Sequence, residues 1–388
     1  MLRPGLIIMQ VIFLLAGSNA AALGAEDTVK VAVNVAKTGI KVESDAGMFL
    51  GAELAAEKIN GQGGLLGKRL ELIYTDNRST PLGAKQAAEL AAKMDVIAVV
   101  GGGRSTFAMA MAPVLQQAQI PMITHFSTLP DITLIGDYIF RVCYTDAWQG
   151  NILGRYAYDE LSARKAIVLE MVDEVYSTTL ASYFVKSFEL AGGEILWQGY
   201  YKSKTMDFAE MLSQVEALKP DVVFVPGYSK DAGWIIRQAR NMGIGSTFLG
   251  GDGWGLLTYS FGGDAVDGSY SADHWHPGVP FAASKELLDR YEKKYGQRLI
   301  KSTGTPLIYD AIMVLADAVR RAGSLDRTKI RDAIAQTSGF QGATGELTFD
   351  ADGDPLNKQL IITRFEGGDK KFVKPYIPTF EPKMSSLR

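Results

Sequence analysis

The residues of this chain that can do chemistry gather where short β-branched runs end. After DVIAVV, which starts at Asp95, come Gly103, Arg104, Ser105 and Thr106. After PMIT, which starts at Pro121, come His125, Phe126, Ser127 and Thr128. IVLEMV is followed by Asp173, Glu174, Val175 and Tyr176, VVFVPG by Tyr228, and TFLGG by Asp252, Gly253 and Trp254. A helix opening at Ser105 would turn free backbone N–H groups and the positive end of its dipole toward an anion such as a carboxylate. Ser105 and Thr128 add hydroxyls to that anion site. Asp252 offers the opposite charge, suited to an ammonium group, and Tyr176 and Tyr228 offer ring faces and hydroxyls. One anion site and one cation site a short distance apart suit a zwitterion.

Catalytic and metal chemistry find no comparable support. Gly63-Gly64-Leu65-Leu66-Gly67-Lys68 is too short for a phosphate loop, and Arg69 stands where Ser or Thr would bind magnesium. Gly101-Gly102-Gly103-Arg104-Ser105-Thr106 ends in Thr106 where the dinucleotide fingerprint has its last glycine. Gly227-Tyr228-Ser229 lacks the second glycine of a nucleophile elbow. The histidines are His125, His274 and His276, and His274 and His276 alternate onto one strand face, too few for a zinc site. The acidic run from Asp350 to Pro355 is turn chemistry. Its sixth position is proline where a calcium loop needs glycine, and no glutamate closes it. The expectation is therefore a binding protein without metal or cofactor, with an exported enzyme as the weaker alternative. With 40 Lys+Arg against 43 Asp+Glu, the chain lacks the basic excess that nucleic acid demands.

The first residues read as a leader. Arg3 precedes an apolar run from Leu6 to Ala16, small residues follow, and sites of the Ala-x-Ala kind end at Ala20, Ala22 and Ala25. Residues 1–25 are taken as a signal peptide. The run is about half the ~20 residues that a spanning helix needs. No cysteine follows it to carry a lipid, so the mature chain is expected to be soluble and exported. The single cysteine, Cys143, cannot form an intrachain disulfide, which leaves stability to the core.

The elements that must position these residues recur with one rhythm. Val29 to Ala36, Arg69 to Asp76, DVIAVV and PMIT read as strands, separated by helices over Asp45 to Asn60, Leu82 to Met94 and Ser105 to Gln119. The pattern then repeats from Lys165 to about Asp252, with strands at KAIVLEMV, EILWQGYY, DVVFVP and TFLGG. Alternating strands and helices predict parallel sheets covered on both faces. Length alone allows two to three domains; the repeat reduces this to two lobes, with ligand at the carboxyl ends of the strands. The segment from about Tyr270 holds a helix over Pro306 to Ala322, a second over Thr328 to Thr337, and strands near the C-terminus. It is too short for a third domain, so it completes both lobes. The expected organisation is 26–146 plus 274–347 for lobe 1, and 147–273 plus 348–388 for lobe 2.

Read this far, the sequence resembles the periplasmic branched-chain amino-acid binding proteins, the Leu/Ile/Val type of ABC-importer receptor. The likeness rests on GAELAAEKINGQGGLLGKRLELIYTDN, IPMITHFSTLPDIT, FRVCYTDAWQG, Val175-Tyr176-Ser177, DFAEMLSQVEALKPDVVFVPGY, IIRQARNMGI, FLGGDGW and ATGELTFDADGD. It implies a type I periplasmic binding fold: two Rossmann-like α/β lobes joined by a multi-strand hinge. It also implies a periplasmic receptor that closes on a small ligand and delivers it to a membrane permease, or a sensor that reports it to a signalling partner; because two lobes closing on each other leave a single chain competent, a monomer is expected. By the same resemblance Ser105 binds the ligand carboxylate, Thr128 and the Phe126 carbonyl hold its polar end, Tyr176 and Tyr228 come from the second lobe, and Asp252 pairs with the ammonium. There are departures. Gly103-Arg104 replaces an apolar pair, Ser44 replaces a tyrosine, and Gly304 lies near the place of an aromatic residue. Phe126, Trp148, Trp254 and Trp275 are candidates for aromatic surface, and Gly103, Arg104 and Thr106 for further ligand contacts.

Overall fold

The computed structural model describes residues 28–296, 302–356 and 358–376. The leader, 1–25, lies outside the described residues. In the first sheet β1 (Thr28–Val35) pairs in parallel with β2 (Arg69–Asp76) and β3 (Ala98–Gly101), and β4 (Met122–Thr124) and β5 (Ile139–Arg141) extend it. The order is β2-β1-β3-β4-β5. Helices α1 (Val42–Gly61), α2 (Pro81–Ala92) and α3 (Ser105–Gln117) fill the crossovers. Val31, Val33, Ala98, Val100 and Ile123 pack on one face of this sheet, and Ala32, Val99 and Met122 on the other. Both faces are covered, which is why its strands read as continuous apolar runs.

After α4 (Asp146–Asp159) the same plan returns. Strands β6 (Lys165–Met171), β7 (Glu194–Tyr201), β8 (Val222–Val225), β9 (Thr247–Gly250) and β10 (Tyr270–Asp273) alternate with α5 (Val175–Leu190), α6 (Ala209–Leu218), α7 (Ser229–Asn241) and the short α8 (Leu257–Gly262). Next come α9 (Ala282–Tyr295), α10 (Gly304–Ala322), α11 (Arg327–Ala335) and the hairpin β11 (Phe340–Gly342) and β12 (Gly345–Leu347). These helices return to the first lobe: Leu287, Ile308, Ile312, Leu315, Val319 and Ile334 share a core with β1 and β3. Finally β13 (Leu360–Glu366) and β14 (Asp369–Tyr376) add antiparallel to β10. The second sheet therefore runs β7-β6-β8-β9-β10-β13-β14 and repeats the order of the first over five strands. The chain passes between lobes after β5, after β10 and between β12 and β13.

Helix α4 carries little sequence signal for a physical reason. Gly150 and Gly154 interrupt its pattern, yet they are what lets it lie against α5. A Cβ on Gly150 would fall 2.5 Å from the Cβ of Tyr183, and one on Gly154 2.7 Å from the Cβ of Ser187. Glycine lowers helix propensity by about 1 kcal/mol, and here close packing compensates.

Arg141, fully buried at the end of β5, ties the segment after β4 to the third crossing. It donates to the carbonyls of Ser127 (2.9 Å), Leu129 (2.8 Å) and Pro130 (2.9 Å) and to Thr133 Oγ1 (3.0 Å), and it pairs with Asp354. Asp354 comes from the acidic turn, where Asp350 Oδ1 accepts the N–H groups of Asp352 and Asp354. Removing one partner of a buried pair leaves the other charge uncompensated, at a cost of about 3–5 kcal/mol. Arg141→Met should lose about that much stability in urea unfolding. A loss below about 1 kcal/mol would show that this clamp does not hold the fold.

Candidate ligand-binding cleft

In both lobes the loops that matter leave the carboxyl ends of neighbouring strands. Arg104 and Ser105 follow β3, Phe126 follows β4, Tyr176 follows β6, Tyr228 follows β8, and Asp252 and Gly253 follow β9. The two sets meet. Gly103, Arg104, Ser105 and Phe126 of one lobe and Tyr176, Tyr228, Asp252 and Gly253 of the other line a single narrow cavity.

On the first-lobe side the helix start is open. Arg104 is the N-cap of α3 but makes no side-chain cap. The Arg104 carbonyl receives the N–H groups of Phe107 and Ala108, while those of Ser105 and Thr106 have no acceptor among the described residues. Orphan donors at a helix N-terminus are an anion site. Ser105 Oγ accepts the Leu129 N–H at 3.3 Å, and its own hydrogen remains for an acceptor. His125 is buried behind this wall against Met48 Sδ (3.1 Å), and burial pushes its imidazole down to about 3, so it is neutral. The missing side chain of Gly103 makes room for it, since a Cβ there would sit 3.2 Å from the ring.

On the second-lobe side the centre is Asp252. Burial works to raise its pKa, but hydrogen bonds from His274, Tyr176 and Gln149 outweigh it and hold the carboxyl below the usual range. Tyr176 donates to Oδ1 at 2.7 Å, Gln149 Nε2 donates to Oδ1 at 2.9 Å, and His274 Nε2 lies 2.8 Å from Oδ2. An ionised carboxylate only accepts, so Nε2 of His274 carries a proton. Gln149 also receives the Asp252 N–H at 2.7 Å. Gly251 permits this close approach, because a Cβ there would lie 2.5 Å from the Tyr176 hydroxyl. His274 stacks on Tyr144 (3.7 Å between centroids) and meets Phe126 edge-on. Asp146 is buried nearby, and burial together with the charge of Asp252 pushes its carboxyl well above the usual range.

Five sequence candidates stand apart from the cavity lining, among them Trp275, which is buried in the first-lobe core and donates its indole N–H to Ser284 Oγ at 2.8 Å, correcting its reading as aromatic cleft surface. Trp254 is fully buried against Gly250 and Phe365 in the core of the second lobe, which corrects its reading as aromatic cleft surface. Trp148 donates its indole N–H to the Lys358 carbonyl (3.1 Å) and belongs to the interlobe connections. Thr128 is buried, its carbonyl receiving the Asp146 N–H at 2.7 Å. Thr106 contributes a backbone N–H beside the lining. Sequence reasoning passed over Gln149, which lies within the weakly marked α4. It took His274 with His276 as a pair, but they face apart: His274 meets Asp252, and His276 the Lys370 carbonyl at 3.1 Å. Among the described residues no cluster of His, Cys, Asp or Glu is arranged to hold a metal ion, and no helix is long and apolar enough to cross a membrane.

Two sheets of repeated order, with anion donors in one lobe and an acid in the other lining one shared cavity, define a two-lobed solute-binding receptor. Residues 28–370 match the periplasmic binding protein family, and the chain belongs to that family. It is similar to the leucine-, isoleucine-, valine-, threonine- and alanine-binding protein of Pseudomonas aeruginosa, at 28% identity over 87% of this chain and 90% of that one. Among solved structures it is similar to a leucine-binding protein of Thermotoga maritima, with a TM-score of 0.86 and 32% identity over 90% of this chain and 99% of that one. It is also similar to a branched-chain amino-acid transporter substrate-binding protein of Streptococcus pneumoniae in complex with isoleucine, with a TM-score of 0.83 and 30% identity over 90% of this chain and all of that one (100%).

Asp252 in the cleft and Asp231 at the start of α7 should titrate with opposite sign. Asp252 is depressed, so its contribution to stability is present above about pH 4 and is lost as pH falls below it. Asp231, which caps the start of α7 and accepts from Tyr201, is raised by burial to about 6, so its contribution is full below about pH 4 and is lost as pH rises through 6. In urea unfolding, wild type should gain on Asp252→Asn as pH rises from about 2.5 to 4.5, and lose ground to Asp231→Asn as pH rises from about 4 to 7. Parallel profiles for the two variants would contradict these environments.

Proposed function

We propose that this chain is the extracytoplasmic receptor of an ABC importer, capturing an amino acid or a closely related small molecule in the interlobe cleft and delivering it to the membrane permease. The observation that carries this reading is that Ser105 and the open start of α3 in one lobe, and Asp252 in the other, line the same cavity. A zwitterion satisfies both ends only when the lobes are together, so binding energy favours the closed form. The moving bodies are residues 26–146 with 274–347, and 147–273 with 348–388. The carboxylate of the ligand meets Ser105 and the N–H groups of Ser105 and Thr106. Its ammonium meets Asp252, whose three protein donors leave it one of roughly four accepting positions, and the Phe126 carbonyl. The amino-acid names carried by the similar proteins support this ligand class. The receptor works as a periplasmic monomer after loss of residues 1–25, and it binds without turnover.

Thermal-shift and calorimetric titration of residues 26–388 against amino acids, amides, aromatic acids and polyamines tests the reading. A true ligand at 100 times its Kd raises stability by about 2.7 kcal/mol. Asp252→Ala should weaken amine-bearing ligands by about 2–5 kcal/mol, because a buried ammonium loses its partner. A tight ligand that lacks an amine, or unchanged binding by Asp252→Ala, would overturn it.

A further inference from the structure

Arg104 is where this cavity exceeds the needs of a simple zwitterion. Its guanidinium lies over the ring of Tyr228 across the cleft, 3.8 Å from the centroid, and Tyr228 stacks in turn on Tyr176 at 5.3 Å and 26°. The fork is thereby oriented before any ligand arrives. Arg104 lines the cavity and part of its fork is engaged by the Tyr228 hydroxyl, yet its Nη1 is enclosed and has no hydrogen-bond partner. It forms no ion pair among the described residues. The charged groups around it are Glu174 at the start of α5, Asp45 on α1 and Lys41 before α1. Lys41 faces the same Tyr228 ring at 5.3 Å.

An enclosed donor left unpaired disfavours whatever state leaves it so. An aliphatic side chain would seal Nη1 away from water and offer it nothing. A carboxylate or carboxamide would accept from it in the planar geometry that a guanidinium matches. The common zwitterion already has its own partners in Ser105, the start of α3 and Asp252. Building on the amino-acid reading above, we infer that Arg104 is a specificity-determining residue that reads a second acceptor. The ligand is then an amino acid whose side chain ends in a carboxylate or carboxamide, and aliphatic amino acids are disfavoured.

Calorimetry on the full mature chain with glutamate, glutamine, aspartate, asparagine and leucine tests this for wild type, Arg104→Met and Arg104→Lys. A site built to pair a polar group rejects analogues lacking that group by large factors. Wild type should therefore bind its best acidic or amide ligand at least about 100-fold tighter than leucine. Arg104→Met should abolish most of that preference and bind leucine more tightly than wild type does, because no donor is then sealed away unpaired, and Arg104→Lys should restore part of the preference for the carboxylates only. The carboxylate and amide arms distinguish which acceptor is read. Urea unfolding of each variant separates loss of contact from loss of fold. Equal weakening of every ligand by Arg104→Met in a folded protein would show that Arg104 holds the shared α-carboxylate and overturn the inference. So would a wild-type preference for leucine, which leaves the amino-acid reading intact. Failure of every amino acid to bind wild type would instead remove that reading, and this inference with it.

Discussion

The hydrogen bond between His274 and Asp252 is the constraint on which the rest of the cleft depends. A carboxylate taken out of water must find donors, or it takes up a proton. Asp252 finds three, and they come from distant parts of the chain: Tyr176 at the start of α5, Gln149 on α4, and His274 beyond β10. His274 is in turn fixed by Tyr144 from the first crossing and Phe126 from the first lobe. The negative charge in the cleft and the joint between the lobes thus belong to one network. Burial, with the charge of Asp252 added, pushes the carboxyl of neighbouring Asp146 well above its usual range.

The same logic governs the other connections. Lys358, buried in the third crossing, donates to Thr344 Oγ1 at 2.7 Å, and Thr344 donates onward to Asp310 at 2.6 Å. Burial lowers Lys358 to about 8. Lys370 of β14 pairs with Asp273 at the end of β10 and donates to the Trp254 carbonyl, both at 2.6 Å, which pins the loop that carries Asp252 and Gly253. Buried ion pairs contribute little net stability compared with apolar packing, but they are intolerant of misplacement. They suit a joint that must return to one geometry. Cys143 sits among them, its thiol donating to the Ser127 carbonyl at 3.3 Å and raised by burial out of the reactive range.

Much of this was legible in the sequence, for a physical reason. Parallel strands buried on both faces leave apolar runs that cannot be mistaken for amphipathic surface, so DVIAVV and DVVFVP marked the two lobes and their strand ends. Residues 69–76 and 194–201 were bounded correctly because turn residues flank them. Seven of the proposed contacts, Gly103, Arg104, Ser105, Phe126, Tyr176, Tyr228 and Asp252, line one cavity. What stayed hidden depends on partners far away in the chain. Gln149 lies on a helix whose glycines only make sense beside α5, and nothing local to His274 points to Asp252. Trp254 misled because a tryptophan after a strand end looks the same from sequence whether it turns to the cleft or to the core; Gly250 beneath it decides for the core.

Tyr228 joins the binding site to the closure of the cleft. Arg104 and Lys41 from the first lobe both approach its ring, and a cation over an aromatic face is attracted by about 0.5–2 kcal/mol, more as water is excluded. These contacts exist only when the lobes are together, so they favour closure even before a ligand enters. They bring a lysine close to an arginine, however. Burial lowers Lys41 to about 8, and repulsion by Arg104 adds to this. Closure without ligand therefore gathers positive charge and leaves Nη1 of Arg104 unpaired. An acceptor in the cavity relieves both penalties at once. A ligand can shift the open–closed equilibrium only by its differential affinity for the two forms, and these residues would place that difference at the same point where Arg104 is proposed to read the side chain of the ligand.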